Sequence, residues 1–436
     1  MKDLVKTLKN IWKIDELRQR ITLTLGLILI YRVGSFVVLP GVNPNGLNAG
    51  GSSGVAELID LFAGGAFSRA SIFALGIMPY ISASIIMQLL GIAVPAIQKM
   101  QREGESGRKR INQWTRFLTI GITLIQAPGY IASTIPEAAR VPGAFSYPLT
   151  VLVLIAGTMF IMWLGEKITD RGIGNGISLL IMIGIIAKLP GSFAQELVAR
   201  HSNGGYVVFL VEVVLLLLVI AFAIMLVQGT RRIPVQFAKR MVGNKQIGGV
   251  RNYIPLKVNA AGVMPIIFAQ AIMFIPMYIN QYTEGRWFSG LVNFEGFWYN
   301  FLFAVMIILF TYFYTAIMVN PRDMADQMKR NGGFIPGVKP GKQTESFIDS
   351  LISRITLPGA IFLAVIAILP AFAMKLGIKQ QFAYFYGGTS LLIMVGVVLD
   401  TLQQIETHLL SRHYDGLMKS GKIKGRGQQM QTPTMM

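Results

Sequence analysis

Long runs of apolar residues, each close to the length of a membrane-crossing helix, constrain this chain more than any other feature. An α-helix needs roughly 20 residues to cross the hydrocarbon core, and ten segments approach that length: 21–40, 72–94, 117–135, 148–166, 177–193, 206–227, 258–280, 299–319, 355–374 and 385–404. Composition agrees, with 53% hydrophobic and 14% charged residues, where a soluble domain carries roughly 45–50% apolar and 25% charged. Lipid is therefore the main solvent that the sequence anticipates.

The formal charge of +19 suits a nucleic-acid binder as far as magnitude goes, yet the basic residues sit in short segments between apolar blocks. Their placement sets topology, because cytoplasmic loops carry the Lys and Arg excess. Alternating the ten spans puts 32 of the 40 basic residues on one face, including seven in 228–257 without a single acid and six in 320–354. Both termini are accordingly expected in the cytoplasm. The fifth span is the weakest, since its apolar run Ile177–Pro190 is short and contains Lys188, which is expected to snorkel to the interface. Were it not to cross, every later basic loop would change sides.

No cysteine is present, so neither a disulfide framework nor a thiolate metal site is available, and His201, His408 and His413 form no ligand spacing. Residues 1–20 hold no apolar core with a small-residue cleavage site and are expected to be retained. Arg32, Glu166 and Asp400 fall near span ends, and nothing resembles a proton relay. Gly172, Gly174 and Gly176 in RGIGNG lack the Lys-Ser/Thr and the preceding strand of a phosphate loop, so a tight turn is expected there.

Residues 55–68, VAELIDLFAGGAFS, are apolar enough to enter the membrane and too short to span it. Glu57 and Asp60 sit in the first turn, as helix N-termini favour, and Gly64 and Gly65 break the segment. Two placements fit this pattern: a broken helix covered by protein at membrane depth, or an interfacial helix on the outer surface.

Several segments resemble one family in the same order along the chain. They are FSRASIFALGIMPYISASIIMQLL (67–90), EGESGRKR (103–110), GTMFIMWLGEKITDRGIGNGIS (157–178), PLKVNAAGVMPIIFA (255–269), NPRDMADQMKRNGGFIPGVKPGKQT (320–344) and YGGTSLLIMVGVVLD (386–400). Together they are similar to the SecY/Sec61-alpha family of protein-conducting channels. The resemblance implies an all-α fold of ten transmembrane helices in two inverted, pseudo-symmetric five-helix halves, 21–200 and 201–404. Residues 1–20 and 405–436 would be cytoplasmic ends. Inverted repeats place the pathway at their interface.

A pathway for unfolded polypeptide must admit every side chain and block ions when empty. A narrow apolar ring does both, because it dewets when closed and holds nothing strongly. The resemblance puts that ring on Ile77, Ile81, Ile181, Ile267 and Ile393. It makes 55–68 a plug beneath the ring, with Leu58, Ile59, Leu61, Phe62, Ala63, Gly64, Gly65 and Ala66 at its centre. Ser82, Gln88 and Asn259 match polar positions on a lateral gate between spans 2 and 7, where weak interhelical bonds would yield to a hydrophobic signal helix. Bonds to carbonyls of their own helices are the competing expectation.

Loops 228–257, with Arg231, Arg232, Lys239 and Arg240, and 320–354, with Arg322, Lys329, Arg330, Lys339 and Lys342, resemble docking loops for the ribosome, through its RNA phosphates, and for the SecA motor ATPase. At Lys339 the family usually has arginine, and lysine keeps the charge without the bidentate fork. The resemblance further implies SecE and SecG as companion subunits, SecDF and YidC as further partners, signal sequences and nascent membrane proteins as cargo, and a bacterial plasma membrane. It implies no cofactor and no enzymatic step. A secondary transporter would show a polar midplane site and a membrane enzyme a metal or nucleophile motif; the sequence offers isoleucines instead.

Overall fold

The computed structural model describes residues 14–44, 47, 60–136, 139–141, 146–202, 205–237, 240–242, 245–247, 251–270, 272–273 and 296–419. Helices dominate: α1 (Asp15–Gly34), α2 (Met78–Ala93), α3 (Pro95–Arg102), α4 (Glu105–Thr134), α5 (Ser146–Arg171), α6 (Gly176–Ser202) and α7 (Gly205–Gln228). After a strand-forming stretch and a helical turn over residues 264–270 come α8 (Phe297–Met318), α9 (Pro321–Arg330), α10 (Lys342–Lys375), α11 (Gln380–Ala383) and α12 (Gly388–Lys419). Six of them (α5, α6, α7, α8, α10 and α12) are long and apolar enough to cross a membrane, and α2 with α3 forms a seventh, bent candidate. α1 and α4 cover the first and third expected spans.

Three expectations change. The second span becomes helical only at Met78, because residues 63–77 form successive turns in which Gly64, Gly65, Gly76 and even Ala70 take positive φ, a conformation that α-helix excludes. At its other end the chain bends by 104° between α2 and α3, where Val94 is extended at φ −109°, ψ 112°, as the residue before a proline must be. The fifth span, as expected, is helical, over 27 residues, and Lys188 on it pairs with Asp60.

The third change is a small sheet that an all-α expectation omits. β1 (Thr230–Phe237) pairs antiparallel with β4 (Arg251–Lys257), from Thr230 opposite Lys257 to Gln236 opposite Arg251, and at its far end with β5 (Gly333–Phe334). Between them β2 (Arg240–Val242) and β3 (Lys245–Ile247) form a hairpin. Along β1 the burial alternates, so Ile233 and Val235 face inward. They meet Leu256, Met328, Ile335 and Ile348 in one apolar cluster, so the two basic loops share a core. Asn320 caps α9 by accepting hydrogen bonds from the N–H groups of Arg322 and Asp323 at 3.1 and 3.4 Å. Pro321 is at the first helical position and Lys329 and Arg330 lie in the last turn, as capping and the helix dipole favour.

Two further clusters organise the membrane region. One gathers α1, residues 61–77, α4, α5, α6 and one face of α12; the other gathers α7, Val263, Ile266, Ala269 and Met273, α8, α10 and the opposite face of α12. On α12, Ile393 and Val397 turn to the first cluster, and Leu391, Leu392 and Val395 to the second.

Candidate functional site

The five isoleucines come from four separated stretches and meet in one cluster. Ile77, just ahead of α2, Ile181 on α6 and Ile393 on α12 are buried members of the first cluster, and Ile81 on α2 and Ile267 pack against it. All are branched aliphatics, so the shared surface offers neither a charge nor a strong hydrogen bond.

Leu61, Phe62, Ala63 and Ala66 are buried in the same cluster, which places the broken segment inside the protein rather than on its surface; Leu58 and Ile59 lie outside the described residues. The small residues permit a close approach to α6: a methyl added to Gly64 would stand 2.9 Å from the Cα of Gly184, and one added to Gly184 would stand 2.4 Å from the carbonyl oxygen of Phe62. Such distances exclude any side chain at either position. Gly184 and Lys188 lie three and seven residues beyond Ile181, roughly 4 and 10 Å along the helix axis, so the segment sits to one side of the isoleucines.

Polar contacts fix the segment's main chain. Asp60, nearly fully buried, accepts a 2.9 Å hydrogen bond from the N–H of Ser68 and pairs with the ammonium of Lys188. Arg32 donates to the carbonyl of Gly64 at 3.1 Å and Tyr130 to that of Phe67 at 2.7 Å. The guanidinium groups of Arg32 and Arg69 both stack on Phe36, at 5.4 and 4.3 Å from its centroid.

The three gate candidates behave differently from one another. Ser82 donates to the carbonyl of Met78 within its own helix, at 3.2 Å. Asn259 donates to the carbonyl of Gly262 at 3.0 Å, and its Oδ1 is buried without a hydrogen-bond partner. Only Gln88 reaches another span: its Oε1 accepts from the hydroxyl of Tyr314 on α8, at 3.2 Å. The cross-span contact thus joins the second span to the eighth, not the seventh.

Of the docking candidates, Arg231 and Arg232 are exposed on β1, Lys339 is exposed between β5 and α10, and Lys342 is exposed at the first position of α10. Arg240 belongs to β2, and Lys239 lies outside the described residues. Gly172, Gly174 and Gly176 form the expected turn, where the N–H of Gly174 donates to Gln404 at 2.9 Å. Glu166 pairs with Arg116 at 2.5 Å, and Asp400 accepts from Gln404 at 3.3 Å.

Sequence reasoning passed over one charged cluster. Arg200, near the end of α6, binds Glu196 at 3.0 Å and Glu212 of α7 at 2.5 Å, and also the carbonyl of Gly377 at 2.8 Å. Glu196 in turn accepts from the N–H of Lys379 at 3.0 Å. Two signals were available: the i, i+4 spacing of Glu196 and Arg200, and an acid at 212 inside a strongly apolar run.

Comparison with known proteins agrees with this architecture. The SecY family matches residues 71–402. The protein translocase subunit SecY of Thermotoga maritima is 42% identical over 433 residues, covering 96% of this chain and 99% of the relative. That of Mycobacterium tuberculosis strain H37Rv is 41% identical over 437 residues, covering 93% and 97%. Among solved structures, one described as a protein conducting channel superposes with a TM-score of 0.64 at 16% identity, over 92% of this chain and 95% of that one. Sec61 in the canine ribosome-channel complex gives 0.61 at 15%, over 92% and 95%.

Proposed function

Because this chain belongs to the SecY family, we propose that it is the central, multi-pass subunit of a channel that passes unfolded secretory polypeptides across the bacterial plasma membrane. Spans 1–5 and 6–10 form its two halves, and hydrophobic segments leave sideways into lipid between them. The observation that carries this reading is the convergence of Ile77, Ile81, Ile181, Ile267 and Ile393 on one buried apolar cluster that also holds Leu61, Phe62, Ala63 and Ala66. The isoleucines form the constriction and residues 55–68 the plug that backs it, so an idle channel is dewetted and covered.

Ser82, Gln88 and Asn259 lie along the lateral gate. In the observed state the gate-spanning bond is Gln88 to Tyr314. The sheet of β1, β4 and β5, with the loop after it, is the cytoplasmic docking body. Its exposed Arg231, Arg232, Lys339 and Lys342, with Lys239 and Arg240, meet ribosomal RNA phosphates or the SecA motor by charge steering. Both termini lie on that side, and SecE and SecG complete the complex, with SecDF and YidC as further partners.

The test uses the absence of cysteine. Single cysteines at the five isoleucine positions, with lipid-facing Leu217 and Leu218 as controls, are probed for disulfides to a stalled secretory chain bearing one cysteine. Crosslinks at the isoleucine positions with silent controls are expected. An engaged complex that yields none overturns the assignment.

A further inference from the structure

Lys188 has no part in the ring, yet its ammonium reaches Asp60, a buried acid of the segment beneath it. The Asp60 side chain is 3% exposed and that of Lys188 30%. Lys188 lies two turns beyond Ile181 on α6, and between them Gly184 brings the main chain of residues 62–64 into contact with the same helix. Near the Gly64–Gly65 turn stand Arg32, Arg69 and Lys188, and Asp60 is the only carboxylate among the described residues that pairs with any of them. Resting on the channel reading above, the geometry points to Lys188 as the positioning residue that seats the plug, with the Asp60–Lys188 ion pair as its releasable lock.

The physics favours a lock over a permanent brace. A buried ion pair adds little net stability relative to apolar packing, whereas removal of one partner strands the other charge. The seated position is therefore the one in which Asp60 is both buried and paired. When the segment moves out, both groups reach water and their hydration replaces the lost attraction, so release is reversible. The Lys188 side chain is only partly buried, which leaves its ammonium a short path to solvent. Neutralising either group removes that preference for the seated position, whereas arginine at 188 keeps the charge.

The full chain, assembled with its companion subunits in vesicles, is assayed for anion leak when idle and for motor-driven passage of a secretory polypeptide. Lys188→Met and Asp60→Asn are each expected to raise the ratio of idle leak to polypeptide passage by at least about tenfold, as an unpaired buried charge or a lost seat requires. Lys188→Arg is expected to lie near the wild type. An unchanged ratio in both neutralised variants overturns the lock, and a wild-type complex that passes no polypeptide overturns the channel reading instead.

Should the neutralised variants fail to assemble, a paired Asp60→Cys/Lys188→Cys variant is bridged with a reducible bifunctional thiol reagent. Bridging is expected to stop passage, and reduction to restore it. Passage through the bridged protein overturns the proposal.

Discussion

Gly64 and Gly184 pack main chain against main chain, so close that a methyl carbon on the first would stand 2.9 Å from the Cα of the second. Backbone cannot withdraw as a flexible side chain can. Gly184→Val therefore pushes residues 62–64 off α6, and overpacking of this kind costs about 1–3 kcal/mol. Gly191→Val is the control, because nothing lies within 4 Å of a methyl there. With Ala63→Cys as reporter, labelling by a water-soluble thiol reagent is expected to accelerate in Gly184→Val and not in Gly191→Val. Equal rates in the two would refute a plug seated by this contact.

The spans and the isoleucine cluster were legible because hydropathy and a run of resemblances are one-dimensional signals. What escaped is pairwise. Lys188 looked like an interfacial cation on a short span, since its partner Asp60 is 128 residues away and no local rule connects them. The sheet escaped for a different reason: Pro234 and Pro255 argue against strands. Both are tolerated because β5 pairs only with Gln236 and Phe237, leaving Pro234 beyond its reach, while β4 contributes an outer edge. Ser82 and Gln88 lie on α2 and Asn259 in the turns ahead of residue 264, and sequence could not choose between local and cross-span bonds for any of them.

Arg200 holds two buried carboxylates, Glu196 on its own helix α6 and Glu212 on α7. Arg200→Met leaves both acids buried without their cation, a loss of about 3–5 kcal/mol by analogy with other broken buried pairs. Arg171→Met, at an exposed helix end, should fall within about 0.5 kcal/mol of the wild type. Thermal unfolding in detergent is expected to show a markedly lower midpoint for the first variant alone. Coincident midpoints would mean that water, not Arg200, satisfies the acids.

The hydroxyl of Tyr314 donates to Gln88 between α8 and α2. Tyr314→Phe deletes that bond at almost constant volume. Interhelical bonds in membranes average about 0.6 kcal/mol, so the closed gate should loosen about threefold and weaker signal sequences should engage. A double-mutant cycle with Gln88→Ala, read as the engagement rate of a reporter signal sequence, is expected to return a coupling near that value. Strict additivity would remove this bond from the gate.

Ile348 of α10 is almost fully buried against Ile233 and Val235 of β1, which makes the two basic loops one mechanical body. Ile348→Ala opens a cavity costing about 2–5 kcal/mol in a cluster too small to absorb it. Hydrogen exchange is then expected to quicken in 230–237 and 251–257 as well as around 333–338, although only the last region is near the substitution in sequence. Arg231→Ala with Arg232→Ala should leave exchange unchanged and instead weaken ribosome binding, with a shallower dependence on salt because fewer counterions are released. Exchange confined to the neighbourhood of residue 348 would show that the loops act separately, and the charge variants would then report on β1 alone.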